Sequence, residues 1–161
     1  MLEIELKARV DDIGAVRERL HGMHAVFESA VMERDLYLNS PSRDFGETDE
    51  ALRLREAGGK YTLTYKGSRK PGSFLKAREE IICGVESGET MTKILIALGF
   101  RPVAEVRKWR EYYRVRDATV TLDRVEGLGE FVEIELDQSA EAPSSYLVEI
   151  AGSLGVTGEP I

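Results

Sequence analysis

The residues able to do chemistry fall in pairs, each pair two positions apart. Glu3 and Glu5 precede Lys7, Arg53 precedes Arg55, Arg78 precedes Glu80, Lys108 precedes Arg110, and Glu133 precedes Glu135. Lys66 and Asp123 stand singly in similar alternating segments. In a strand, residues i and i+2 share a face and lie roughly 6.5–7 Å apart. Two arginines held that close repel unless an anion sits between them, and two glutamates likewise ask for a cation. The planar arginine fork matches phosphate oxygens, and lysine adds a point charge. Glutamate oxygens are hard ligands suited to Mg²⁺ or Mn²⁺. Acids beside bases therefore point to metal-bound polyphosphate.

The elements that must position these groups can be read from alternation. Strands are predicted over about 2–9, 27–38, 51–57, 60–66, 75–83, 103–115, 118–125 and 129–137. Gly58-Gly59 marks a hairpin between the third and fourth, and Gly127 and Gly129 the turn between the last two. Helices are predicted over about 12–24, 87–98 and 144–154. Each has an apolar stripe: Ile13, Val16, Leu20 and Met23; then Met91, Ile94, Leu95 and Leu98; then Leu147, Ile150, Ala151 and Leu154. A sheet with one charged face in solvent is the ordinary reading of such strands. Against it, the signs segregate, with paired acids on the first and last strands and paired bases on middle ones. Eight antiparallel strands can close into a barrel. With the charged faces inward, the apolar faces point outward, where three amphipathic helices can cover them. The expected fold is α+β, a closed eight-stranded antiparallel barrel with a polar lumen and three helices outside.

Other residues carry less. Glu33 and Asp35 share a strand face, with the lumen and the solvent about equally expected. Tyr37, Phe45, Phe74 and Tyr112 are aromatic candidates for contact with a nucleotide base, though packing is the commoner role. His21 and His24 are three apart on the first predicted helix and are expected at the surface. Cys83 is expected to be a buried strand residue. Trp109, opposite Lys108 and Arg110 in parity, is expected to pack under a helix. The loops 39–49 and 67–75 could cover a tunnel mouth.

Length and composition set the frame. The 161 residues are expected to form a single domain, 1–161. Net charge is −7, which argues against a nucleic-acid footprint, and no apolar run is long enough for a membrane helix. The N-terminal segment alternates and lacks a signal peptide's apolar core. Cys83 is alone, so no internal disulfide forms. A cytoplasmic protein is expected. A homodimer is compatible with this sequence and not fixed by it.

The ordered set of pairs resembles a known family. Glu3-Ile-Glu5-Leu-Lys7 is similar to the ExExK signature of the CYTH domain, the superfamily also called triphosphate tunnel metalloenzymes. Arg53-Leu-Arg55 resembles its RxR strand, and Lys66 the lysine that follows. Arg78-Glu-Glu80 resembles RxE, Lys108-Trp-Arg110 resembles KxR, and Leu122-Asp123 the aspartate strand. Gly129 to Glu135 resembles the glycine turn running into a terminal ExE. The likeness covers nearly the whole chain and implies an eight-stranded tunnel. It implies Glu3, Glu5, Glu133 and Glu135 as ligands of Mg²⁺ or Mn²⁺, with Asp123 assisting and Glu80 either a ligand or an orienter of the bases. It implies Lys7, Arg53, Arg55, Lys66, Arg78, Lys108 and Arg110 as the phosphate grip, with Lys7 and Glu135 also at the chemical step. The segment from Tyr37 to Arg55 looks most like the class IV adenylyl cyclase branch, which implies conversion of ATP to cyclic AMP and pyrophosphate. An inorganic or thiamine triphosphatase and a non-catalytic nucleotide- or polyphosphate-binding module are the alternatives.

Overall fold

Alternating polarity becomes eight strands: β1 (Leu2–Val10), β2 (Val26–Asn39), β3 (Ala51–Ala57), β4 (Lys60–Lys66), β5 (Lys76–Val85), β6 (Arg101–Val115), β7 (Ala118–Val125) and β8 (Gly129–Leu136). The helices are α1 (Ile13–Gly22), α2 (Phe45–Thr48), α3 (Gly88–Ala97) and α4 (Ser145–Ser153). The computed structural model describes residues 1–71, 75–137, 143–156 and 160–161. Every pairing is antiparallel, in the order β1-β5-β4-β3-β2-β6-β7-β8, and β1 bonds to both β5 and β8, which closes the barrel. Gly58 and Gly59 both have positive φ, 56° and 77°, as the two-residue turn joining β3 to β4 requires.

The apolar core lies outside the barrel, in two separate masses. One joins Val16 and Leu20 of α1 and Leu147 and Ile150 of α4 to the outer faces of β1, β7 and β8, including Leu6, Val120, Leu122, Val132 and Ile134. The other joins Leu95 of α3 and Phe45 of α2 to Leu38 and Leu52. α1 starts where Asp12 accepts hydrogen bonds from the amides of Gly14 and Ala15, and Glu130 of β8 accepts one from the Ile13 amide at 2.8 Å. α2 was not foreseen in the 39–49 loop. It is a single turn capped by Asp44, and its Phe45 is buried.

Three local expectations are corrected. Trp109 is 41% exposed and pairs across strands with the exposed Met32, because no described helix lies over that part of β2 and β6. Cys83 is exposed on the outer face of β5 for the same reason. His21 and His24 are both exposed, as expected, but His24 lies past the end of α1, with φ 56°, and not on the helix. No helix is long and apolar enough to cross a membrane among the described residues.

Candidate active site

Inverting the barrel puts charge where a core would normally be. Glu3, Glu5, Glu33, Asp35, Glu80, Lys108, Arg110 and Asp123 are all buried. Such groups are held only when paired or bound, since an isolated buried charge is costly.

The acidic side of the lumen is built by β1, β5 and β8. Register places Glu3 opposite Arg78, Glu5 opposite Glu135, and Lys7 opposite Glu133. Glu80 lies opposite Lys66, whose Nζ donates to both oxygens of Glu3 at 2.9 and 3.0 Å. Glu3, Glu80 and Glu135 each bring a carboxylate oxygen within 4.8 Å of the other two. Burial pushes the Glu135 carboxyl up to about 7, helped by Glu3 and Glu133. Burial and the neighbouring Glu133 push Glu5 up to about 9. Glu133 goes the other way. Its burial is outweighed by Arg110 and Lys7, which hold it well below the usual carboxylate range. The donor set of the three clustered glutamates is all oxygen and fits a hard divalent cation. Of the five acids that the resemblance assigns to metal, Glu3 and Glu135 fall in this cluster. Glu5 lies beside it, and Glu80 completes it.

The opposite side is built by β2, β3, β6 and β7. Arg110 donates to both oxygens of Asp123, at 2.6 and 2.5 Å, and to Glu133 at 3.1 Å. Asp123 is thereby engaged by an arginine fork and stands apart from the glutamate cluster. Arg55 makes a second fork, to Asp35, with both bonds at 2.7 Å. Glu33 is 2.8 Å from Arg55 and 3.5 Å from Arg110, and it accepts a hydrogen bond from the Tyr112 hydroxyl at 2.7 Å. Lys108 lies 3.6 Å from Asp35. Burial, with the Arg110 and Arg55 guanidiniums beside it, lowers the Lys108 ammonium to about 8.

Arg53 differs from these. It shares the lumen face of β3 with Arg55 and makes no ion pair or hydrogen bond among the described residues, although its Nε is buried. Arg78 turns two donors to backbone, the carbonyls of Gly67 at 2.7 Å and Asp49 at 2.9 Å, and so ties two loops to the rim. Lys7 lies 3.8 Å from Glu133 and 5.7 Å from the centre of the Phe131 ring. Thus the structure gathers every charged residue read from the sequence into one lumen or its rim, but in two states, locked and free.

Some lumen groups were left undecided by the sequence and others escaped it. Glu33 and Asp35 are fully buried, and neither is solvated. Their parity was legible, but the opposite face of β2 carries Arg34 between Met32 and Leu36 and so gave no apolar side to orient the strand. Lys76, opposite Glu5, is a further cation, its pKa lowered by burial. Phe131 is the lumen's buried aromatic, lying between Lys7 and Arg9. Among the earlier aromatic candidates, Phe45 packs into the outer core, Tyr112 is tied to Glu33, and Tyr37 is half-buried opposite Arg53. Phe74 lies outside the described residues.

A family model described as the CYTH domain matches residues 1–157. The chain belongs to the CYTH domain family. A Methanocaldococcus jannaschii protein named "putative adenylate cyclase" is 43% identical over 135 residues, which is 84% of this chain and 77% of that protein. The adenylate cyclase CyaB of Aeromonas hydrophila is 26% identical over 163 residues, 96% of this chain and 81% of that one. The solved structure of the PH1819 protein from Pyrococcus horikoshii superposes with a TM-score of 0.85 at 36% identity, covering 97% of this CYTH chain and 92% of that one.

Proposed function

We propose that this CYTH barrel is a metal-dependent enzyme that binds a triphosphate in its lumen, and that its reaction is the class IV adenylyl cyclase reaction. The observation that carries the reading is the presence inside one closed barrel of three clustered carboxylates, Glu3, Glu80 and Glu135, and of a guanidinium, Arg53, whose buried Nε has no hydrogen-bond partner among the described residues. The cyclase choice is supported by the names of the relatives that match over most of the chain.

Glu3, Glu80 and Glu135 would hold Mg²⁺ or Mn²⁺. When bound, such an ion neutralises phosphate charge and lowers the pKa of a nearby hydroxyl. The chain's own groups do the rest. Arg53 and Lys7 place the phosphates, with Lys66 held ready between Glu3 and the lumen. The ribose 3′-oxygen attacks the α-phosphorus as the bond to the bridging oxygen breaks, and pyrophosphate leaves. Glu135, in the three-carboxylate cluster, is the group that would take up the hydroxyl proton. Positioning and charge neutralisation account for most of the rate in this chemistry.

A second reading is hydrolysis of the terminal phosphate, with inorganic or thiamine triphosphate as alternative substrates. One observation favours it. Phe131 is covered by Lys7 and Arg9, and Tyr112 is tied to Glu33, so neither ring is bare for a base. The test is to incubate the protein with ATP and, in parallel, tripolyphosphate, with Mg²⁺ or Mn²⁺, and resolve all products by chromatography. Cyclic AMP with matching pyrophosphate establishes the cyclase. Orthophosphate without cyclic AMP moves the chain to the triphosphatases. No product from either substrate contradicts both.

A further inference from the structure

We propose that a cavity on the outside of the barrel is a binding site for a free apolar α-amino acid, with Arg116 taking the carboxylate and Glu149 the ammonium. The cavity is about 320 Å³ and lies between the end of α1, the β6–β7 turn and α4. Tyr146, Glu149 and Ile150 line it from one face of α4, as their spacing requires. Met23, Val115 and Ile150 belong to the outer core or pack on it, and they give the cavity an apolar floor.

Three features of its wall point to a ligand. Arg116 and Glu149 both line the cavity, yet neither makes an ion pair or a side-chain hydrogen bond, to each other or to any described residue. Tyr146 Oη is buried and has no hydrogen-bond partner among the described residues, a state that costs free energy until one arrives. His24 and Arg116, both on the wall, are two of the three non-glycine residues with positive φ among the described residues, at 56° and 52°. His24 stands just past α1, and Arg116 stands in the two-residue turn after Val115 and before Ala118. Glycine or asparagine is usual at both kinds of place. A left-handed backbone is unfavourable for other L residues, so two of them beside one cavity mark side chains kept for a use.

The charges select the ligand. A simple anion would be drawn to Arg116 and repelled by Glu149, and a simple cation the reverse. A molecule with a carboxylate and an ammonium on one carbon satisfies both, with its carboxylate on the Arg116 fork. Tyr146 Oη then donates to that carboxylate, and an apolar side chain covers the floor. The volume is at the low end of the roughly 300–1,000 Å³ usual for ligand sites, which suits a molecule of this size. None of the lining residues belongs to the lumen, so the assignment stands apart from the reaction there.

The test uses the full chain with its methionine methyl groups labelled with carbon-13, which gives one signal each from Met1, Met23, Met32 and Met91. On addition of L-leucine, Met23 is expected to shift and saturate, while Met32 and Met91, on other sectors of the barrel, stay in place. N-acetyl-leucine lacks the ammonium and leucinamide lacks the carboxylate. Each is expected to bind at least about tenfold more weakly, as loss of one charge-assisted contact gives. No saturable Met23 shift with L-leucine, or equal binding of either analogue, overturns the proposal. Arg116→Gly keeps the turn, because φ 52° suits glycine, and is expected to hold its melting temperature while losing leucine binding. Glu149→Gln is expected to bind leucine and N-acetyl-leucine alike. Full leucine affinity in either variant contradicts the assignment, since residues kept only for the fold would change neither affinity nor discrimination.

Discussion

At the scale of single residues, the shifted carboxyls make the site's metal affinity depend on pH in a stated direction. Glu135 holds its proton to about pH 7, so protons and a divalent cation compete for it below that pH. Mn²⁺ affinity is expected to rise as pH increases from 6 to 8, with proton release on binding. Calorimetry in two buffers of different ionisation enthalpy measures both. Glu135→Gln is expected to abolish the dependence and to lower turnover about 100-fold or more, with the melting temperature preserved. The same groups act on stability. The ordinary Glu value is 4.5, so between there and about 7 the folded Glu135 binds more protons than the unfolded one. Glu5 extends that excess to about 9. The metal-free protein is therefore expected to lose stability as pH rises through this window, and Mn²⁺ to restore it; a metal-free melting temperature that climbs from pH 5 to 7 contradicts the assignment. Most of these residues were legible, because i, i+2 pairs of like charge have one obvious use in a closed barrel. Glu33 and Asp35 were left between lumen and solvent, because what fixes them inside is their contact with Arg55 and Arg110 on the neighbouring strands β3 and β6, a relation that no single strand contains.

At the scale of elements, the sequence carries boundaries through caps and turns. Asp12→Ala removes the acceptor for two amides of α1 and is expected to cost about 1 kcal/mol, lowering the melting temperature by about 2–4 °C without changing turnover. Gly88 tells the opposite story. It opens α3 just after the Ser87 cap, and a Cβ there would run into the ring of Tyr61. Gly88→Ala is expected to destabilise by about 1–3 kcal/mol by forcing α3 off the sheet, as denaturant titration would show, despite alanine's better helix propensity. An unchanged midpoint would mean that Tyr61 moves freely. The sequence alone gives no sign that Gly88 is required, because the contact that requires it comes from another strand. α2 escaped for a related reason. One helical turn has no periodicity to detect, and what fixes it is the burial of Phe45 against Leu38, Leu52 and Leu95.

At the scale of the molecule, face parity gave the inversion of the barrel, charge within and apolar core without. It did not give the strand order or how much of the outside the helices reach. They cover two sectors and leave Trp109 and Met32 open between them. Trp109 is the chain's single tryptophan, so its fluorescence reports that sector alone. Acrylamide is expected to quench it in the native state, to the same extent with and without tripolyphosphate, because the ring points away from the lumen. The central claim concerns the lumen itself, and anomalous scattering tests it most directly. Crystals grown with Mn²⁺ and a non-hydrolysable tripolyphosphate analogue are predicted to show a manganese peak enclosed by Glu3, Glu80 and Glu135, with the phosphate chain running from it to Arg53. Manganese and phosphate bound only on the outer surface of the barrel would contradict the account.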